Sequence, residues 1–181
     1  MRVRSAVSDD VPEITRIFNH WIACDTASFY TSPRPEHEIA EQIARAGDRY
    51  PWLVAIEDDV EDGGAGTERP HSPRLLGAAW SKAWNPREAY AGSVEVSVYV
   101  APDSTGRGVG GQLYCGLIPM LDDLGYRTLL AGITLPNPTS VRLHEKFGFV
   151  KVAHFREVGY KFDRWLDVGY WQRLHRSPPA T

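Results

Sequence analysis

The sequence has few of the features that mark secreted, metal-binding or membrane-spanning proteins. It contains only two cysteines, Cys24 and Cys115, which are far apart and lack the spacing of metal ligands. Free thiols in a reducing compartment are therefore predicted. No apolar run approaches the ~20 residues of a membrane-spanning helix. The N-terminal residues Met-Arg-Val-Arg also lack the apolar core of a signal peptide. We expect a cytoplasmic protein with no metal site and no membrane partner.

Neither sign of charge dominates the chain. The formal net charge is −3, the isoelectric point is about 6.1, and the arginines are scattered. A nucleic-acid partner is therefore not expected, because nucleic-acid binding requires a basic face or stripe. At 181 residues with 43% apolar content, the chain is long enough to bury one substantial core. A single domain over residues 1–175 is predicted, followed by a flexible tail at residues 176–181.

Both common nucleotide-binding loops are missing, although a glycine-rich turn is present. No Gly-Lys-Ser/Thr triplet follows these glycines, and their spacing does not fit the pattern Gly-x-Gly-x-x-Gly. The turn lies between a β-type run at residues 93–100 and an amphipathic helix. At a helix N-terminus, free backbone N–H groups bind phosphate oxygens. The alternative is a ligand-free connection. The glycines are Gly106, Gly108, Gly110 and Gly111.

The order of hydrophobic patterns predicts an α/β fold. Alternating and helical segments follow one another as βααβββαβαββ, which indicates a mixed sheet with helices on both faces. Residues 58–74 are rich in Asp, Glu and Gly and carry two prolines, which predicts a long exposed connection.

Glu95 interrupts the apolar run Val-Glu-Val-Ser-Val-Tyr-Val. A carboxylate in such a strand is costly to bury unless it is hydrogen-bonded, paired or used chemically. A functional base is one explanation. A strand glutamate that faces water or pairs with an arginine is the other.

Several segments carry a family resemblance. Thr105 to Gly110 resembles the pyrophosphate-binding motif Gln/Arg-x-x-Gly-x-Gly/Ala of the GNAT acetyltransferase superfamily, with Thr105 at its first position. Ala131 to Phe149 is similar to the fifth strand and fourth helix of that superfamily. Over Val3 to Arg173 the chain more narrowly resembles the phosphinothricin N-acetyltransferases, through RYPWLVA, VEVSVYV, GITLPN, LHEKFGF, FREVGYKFDRW and DVGYWQR.

This resemblance implies a GNAT fold with a mostly antiparallel mixed sheet. It also implies acetyl transfer from acetyl-CoA to the α-amine of phosphinothricin, methionine sulfoximine, methionine sulfone or arsinothricin, by direct attack in a ternary complex. Family members are commonly homodimers, and the aromatic residues near the C-terminus suit either an apolar interface or the core. Acetyl transfer to a protein N-terminus, a lysine or a polyamine is an alternative. A non-catalytic sensor of acyl-CoA is another.

The resemblance also assigns roles to residues. Glu95 becomes the general base, and His144 the donor of a proton to the coenzyme A thiolate, unless His144 is a helix histidine with a surface or core role. Asn137 lies near the pantetheine arm, although Asn-Pro is also a helix start. The predicted cofactor-binding residues are Val98, Tyr99, Val100, Arg107, Gly108, Val109, Gly110, Gly111 and Asn137.

An acidic acceptor needs a cation. Arg87 with Tyr90 is the first candidate, because a guanidinium holds a carboxylate or phosphinate bidentately. A solvated loop arginine is the alternative. Phe29 resembles the family's apolar wall for the substrate but also suits the anchor of a bend, and Lys161 is a weaker candidate. The chain departs from the family at Ala91 and Gly92, where bulky or charged residues are common.

Overall fold

The computed structural model describes residues 1–57 and 73–175, so the predicted tail and most of the predicted long connection lie outside the described residues. The predicted order of strands and helices is confirmed. The elements are β1 (Arg2–Ser5), α1 (Val11–Cys24), α2 (Glu36–Ala46), β2 (Trp52–Glu57), β3 (Arg74–Ala83), β4 (Ser93–Val100), α3 (Val109–Asp123), β5 (Thr128–Leu135), α4 (Pro138–Lys146), β6 (Val150–Lys161) and β7 (Arg164–Leu174).

The seven strands form one sheet in the order β1-β2-β3-β4-β5-β7-β6. All neighbours are antiparallel except β4 and β5, as predicted for a mostly antiparallel mixed sheet. The parallel pairing runs only from Ser93↔Thr128 to Glu95↔Leu130. Because β4 continues to Val100 and β5 to Leu135, the two strands part beyond Glu95. The sheet is therefore open at its centre.

Helices cover both faces of the sheet. On one face, α3 buries Leu113, Leu117 and Leu121 against strand residues such as Val94 and Val96. On the other face, α1 packs with Ile14, Ile17 and Phe18 in a second cluster that contains Trp52 and Trp80. Full burial of each large aliphatic side chain contributes about 1.5–3 kcal/mol. This two-sided packing explains why every residue of β2 from Trp52 to Ile56 is buried.

Strand alternation decides which face each β4 side chain occupies. Val94 and Val96 face α3, and their neighbours in sequence therefore face α1 and α2. Tyr99 follows this rule, since its ring packs against Phe18 and Trp80 in the α1 cluster. Glu95 lies on the same face as Tyr99. The base candidate thus points away from the larger core.

No helix in residues 1–57 and 73–175 is long and apolar enough to cross a membrane. Within the same ranges, no group of three His, Cys, Asp or Glu side chains is arranged to hold a metal ion.

Candidate active site

A cavity of about 980 Å³ opens on the α1 and α2 side of the sheet, where β4 and β5 part. Its walls come from the six strands β2 to β7, from α1 and α2 and from the connection between these two helices. Among the predicted site residues, the cavity brings together Phe29, Glu95 and Tyr99.

Glu95 presents a carboxylate to this cavity. Its side chain is 22% exposed, and Lys82 Nζ lies 3.6 Å from Oε1. The two residues are direct cross-strand partners on β3 and β4. In the described part of the chain, no hydrogen bond occupies the carboxylate. The predicted pairing alternative is thus partly realised, because the carboxylate pairs with a lysine rather than with an arginine.

Tyr99 lies on a different side of β4 from its predicted cofactor-binding neighbours. Val98 and Val100 pack against the α3 cluster, whereas Tyr99 lines the cavity. Its hydroxyl donates to the carbonyl oxygen of Ala27 at 3.2 Å. Burial raises the pKa of Tyr99 to about 12 and keeps the hydroxyl protonated. The side chains of Val98, Tyr99 and Val100 therefore cannot form one binding surface, because consecutive strand residues point to opposite faces of the sheet.

The glycine-rich turn has the geometry of an anion cradle. Gly108 begins α3 with φ 80°, and Gly106 has φ 77°, in the left-handed region that glycine tolerates best. Gly108 O accepts the N–H of Gln112, so the N–H groups of Val109, Gly110 and Gly111 precede the first helical bond. A Cβ at Gly111 would meet no heavy atom within 4 Å. The open surface and free donors fit a phosphate group.

The other glycine of the motif has a packing role. A Cβ at Gly110 would lie 3.1 Å from Leu143 Cδ2, so this residue lets α3 approach α4 closely.

Arg107 is already engaged by a carboxylate. Its Nη2 lies 2.5 Å from Glu57 Oε1, and Arg74 Nη1 lies 3.5 Å from the other oxygen of Glu57. The Arg107 guanidinium lowers the pKa of Glu57 below its ordinary value. The motif departure Thr105 also has a local partner, since its hydroxyl donates to Pro102 O at 3.0 Å. Arg107 is therefore not a free cation in this turn, whereas the N–H groups of Val109, Gly110 and Gly111 precede the first helical bond.

Asn137 begins α4. Its Oδ1 accepts the N–H of Ser140 at 3.0 Å, and Pro138 occupies the first helical position. The predicted helix-start role is therefore present in the structure. A contact with pantetheine stays a prediction.

His144 lies in the core. It is 3% exposed, and its Nδ1 lies 2.8 Å from the carbonyl oxygen of Ser140. Because a carbonyl only accepts, Nδ1 carries the proton and Nε2 accepts from the Tyr114 hydroxyl at 2.8 Å. Burial lowers the pKa of His144 below its ordinary value. The geometry corresponds to the core alternative rather than to an acid facing a bound thiolate.

The residues predicted to bind the acceptor do not lie together in the structure. Phe29 lines the cavity. Arg87 and Tyr90 lie on an exposed segment outside its lining, where the Tyr90 ring packs edge-on against Trp84 at 5.1 Å. Lys161 is 5% exposed and donates to three backbone carbonyls, so it is not a free cation for an acceptor. Its predicted direct contact with substrate does not agree with this placement.

The aromatic floor of the cavity, formed by Trp52, Trp80 and Tyr99, was not predicted from the sequence. Trp52 and Trp80 are register partners on β2 and β3, with ring centroids 4.5 Å apart and planes at 5°. Trp80 also stacks on Tyr99 at 5.5 Å. The alternation of side chains along each strand was the available signal. It could not show that Trp52 and Trp80 are neighbours, because cross-strand partners share a face only in a known register of β2 and β3.

Comparison with known proteins identifies the family. Residues 71–169 match the model of the acetyltransferase (GNAT) domain. The chain belongs to the GNAT acetyltransferase family. It is 36% identical to a phosphinothricin N-acetyltransferase of Streptomyces viridochromogenes, with 98% of this chain and 90% of that protein covered. It is 35% identical to an L-methionine sulfoximine/L-methionine sulfone acetyltransferase of Pseudomonas paraeruginosa, over 99% of this chain and 96% of that protein.

Solved GNAT structures share the fold. A GNAT phosphinothricin acetyltransferase of Sinorhizobium meliloti, solved in complex with AcCoA, has a TM-score of 0.84 and 31% identity, covering 96% of this chain and 87% of that one. A protein from Salmonella typhimurium, solved with its cofactor acetyl-CoA, has a TM-score of 0.85 and 31% identity, covering 99% of this chain and 96% of that one. The predicted GNAT fold, the enzyme class and the resemblance to phosphinothricin N-acetyltransferases are confirmed.

Proposed function

We propose that this protein transfers an acetyl group from acetyl-CoA to the α-amine of a small amino acid analogue. Phosphinothricin, methionine sulfoximine, methionine sulfone and arsinothricin are the candidate acceptors. The observation that carries the proposal is the Glu95 carboxylate, which faces the cavity at the residue where β4 and β5 part. The named activities of the relatives in Streptomyces and Pseudomonas support the acceptor class.

The residues present fit acetyl-CoA. The N–H groups of Val109, Gly110 and Gly111 would hold the pyrophosphate, and Val98 and Val100 would line the pantetheine arm, with Asn137 beside it. Beyond Glu95, β4 has no β5 partner among the described residues, so its backbone groups at Val96 and Val98 on that edge are available to hydrogen-bond the arm and the carbonyl oxygen. The carbonyl oxygen of Val100 is not, because it accepts from Trp21 Nε1 at 2.8 Å. When bound, acetyl-CoA supplies the thioester from which the acetyl group is taken.

Glu95 would act as the base. An amine attacks only as the neutral species, so the acceptor ammonium must first lose a proton. The partly exposed carboxylate takes that proton, directly or through a water. The acceptor cavity and the opening between β4 and β5 adjoin, which supports direct attack in a ternary complex.

A homodimer in the cytoplasm completes the proposal. The β6–β7 hairpin exposes large apolar side chains beside the cavity, including Phe155, Tyr160, Phe162 and Trp165, each at least 49% exposed. Contiguous exposed apolar side chains mark interaction surfaces. Arg87 and Tyr90 lie outside the single-chain cavity, so a partner subunit would be needed for them to complete an acceptor site.

Both cysteines are free, as in a reducing compartment.

A thiol-release assay with acetyl-CoA tests the proposal. The acceptor panel contains phosphinothricin, methionine sulfoximine, methionine sulfone, arsinothricin, the ordinary amino acids, a polyamine, a lysine peptide and a peptide with a free N-terminus. The proposal expects the highest kcat/KM for one of the four analogues. Preference for a polyamine or a peptide would replace it with the alternative acceptors. Calorimetric binding of coenzyme A without thiol release for any amine would instead indicate a sensor.

A further inference from the structure

A buried lysine on β6 holds the connection between α1 and α2. The Lys161 ammonium donates to the carbonyl oxygens of Ile22 at 2.7 Å, Asp25 at 2.8 Å and Ser28 at 2.8 Å. An ammonium has three N–H donors, and all three are used here. The bonds span between 133 and 139 residues of sequence, so this contact exists only in the folded chain.

The first of these bonds ends α1. The last four carbonyls of a helix have no intrahelical partner, and a cation at that end is favourable. Asp25 N still donates to Trp21 O, so Ile22 O is among the carbonyls that need another donor. Lys161 supplies it and then reaches two further carbonyls of residues 25–30. Tyr99 OH adds a fourth tie to this segment, at Ala27 O.

The same strand seats Phe29. A Cβ at Gly159 would lie 2.1 Å from Phe29 Cε2 and 2.6 Å from Cζ, so the ring rests directly on the backbone of β6. Glycine is required there because any side chain would displace the ring. Phe29 is 40% exposed and lines the cavity that contains Glu95. Two residues of β6, spaced by one, therefore act on one short segment: Lys161 on its main chain and Gly159 on its aromatic side chain.

We propose that Lys161 and Gly159 are positioning residues of the acceptor site. They hold residues 25–30 so that Phe29 forms the cavity wall against which the acceptor binds. This inference rests on the proposed function for the identity of the acceptor. Acetyl-CoA is expected to bind elsewhere, at the turn before α3 and along β4, so the two residues affect one substrate and not the other.

Steady-state kinetics with the best acceptor of the wild-type enzyme tests this. Lys161→Met keeps the length of the side chain and removes its donors, and Gly159→Ala displaces Phe29. Each is expected to raise the acceptor KM about tenfold, while kcat at saturating acceptor and the KM for acetyl-CoA stay within about twofold. Lys151→Met, an exposed lysine of the same strand, and Gly92→Ala, whose Cβ would meet nothing closer than 3.9 Å, are the matched controls.

A double-mutant cycle isolates the Gly159 contact. In a Phe29→Ala background there is no ring to displace, so Gly159→Ala is expected to change the acceptor KM less than about twofold. An equal effect in both backgrounds would overturn the role of Gly159. A lysine that served stability alone would lower the active fraction, and hence kcat, without changing the acceptor KM.

Hydrogen exchange tests the Lys161 clamp, that is, the three bonds from its ammonium to the carbonyls of Ile22, Asp25 and Ser28, without any acceptor. Amides of residues 26–30 are expected to exchange at least about tenfold faster in Lys161→Met than in wild type or Lys151→Met. Unchanged exchange would overturn the clamp. Accelerated exchange in a protein that acetylates no amine would retain the clamp and reject the proposed function. If Lys161→Met does not fold, Lys161→Arg and Gly159→Ala provide the kinetic comparison, and a normal acceptor KM in both would overturn the proposal.

Discussion

The buried hydroxyl of Tyr114 donates a hydrogen bond to His144 Nε2 across 2.8 Å and joins α3 to α4. The contact lies beside the glycine-rich turn, because Leu143, the neighbour of His144, packs at Gly110. His144 therefore supports the framework of the predicted cofactor site without facing the cavity.

Replacing His144 separates a structural from a catalytic role. His144→Phe leaves the Tyr114 hydroxyl buried without its partner, which costs roughly 1–3 kcal/mol of unfolding free energy. We expect kcat to stay within about threefold of wild type because both ring nitrogens are engaged in the core. Urea unfolding and the thiol-release assay measure the two effects. Adding Tyr114→Phe should restore most of the lost stability, whereas a large loss of kcat in a stable single variant would return His144 to the mechanism.

The pH dependence of stability should report the same residue. Burial lowers the pKa of His144 in the folded protein, so below the ordinary value of about 6.5 the unfolded chain binds a proton that the folded chain does not. The contribution of His144 to the free energy of unfolding is therefore complete above about pH 6.5. It is lost as the pH falls from that value toward the pKa of His144 in the folded protein. Urea unfolding at pH 8 and pH 5.5 should show a smaller loss for His144→Phe than for wild type. His37→Gln removes an exposed histidine and should retain the wild-type difference.

Glu95→Gln removes the proposed base while keeping the shape of the side chain. We expect kcat to fall about 10²- to 10⁴-fold, the usual contribution of general base catalysis. Coenzyme A affinity, measured by calorimetry, should not change because the substitution leaves the proposed phosphate-binding turn intact. Glu88→Gln serves as an exposed carboxylate control. Wild-type turnover in Glu95→Gln would remove this residue from the mechanism.

Gly111 is the best position at which to test the proposed binding of phosphate at the glycine-rich turn. Alanine is favoured over glycine in a helix by up to about 1 kcal/mol, so Gly111→Ala should keep or raise the melting temperature. Its methyl group would occupy space that is open in the protein, and we expect the KM for acetyl-CoA to rise several-fold. Gly108→Val is less informative because φ 80° strains any side chain. An unchanged KM in Gly111→Ala would argue against phosphate binding there.

Glu57 pairs with Arg107, a predicted cofactor-binding residue. Glu57→Gln removes the carboxylate 2.5 Å from the guanidinium, and we expect the KM for acetyl-CoA to fall about two- to fivefold, the range of an exposed ion pair. The gain should shrink at 0.5 M salt because exposed charges are screened. The reference is Glu41→Gln, which breaks an exposed pair on α2. A rise in KM would show that the pair organises the turn.

Local patterns were sufficient for much of the fold and part of the site. Period-two and helical hydrophobic patterns located the eleven major strands and helices of residues 1–57 and 73–175, and Asn137 with Pro138 marked a helix start that the structure contains. The glycines predicted a turn with free N–H groups, because the ability of glycine to adopt left-handed backbone does not depend on tertiary contacts. Glu95 was a candidate because a carboxylate in an apolar strand is unusual. Alternation along β4 places its side chain on the face opposite to Val94 and Val96.

The family, the order of elements and the chemically capable residues could be predicted from the sequence, since each depends on neighbours along the chain. The contacts of those residues depend on the folded structure. It directed Tyr99 to the acceptor face, buried His144 against Tyr114, paired Arg107 with Glu57 across 50 residues and placed the Lys161 ammonium on Ile22 across 139. The reason is physical: a polar group accepts whichever partner folding brings within about 3 Å, and that partner need not be near in sequence.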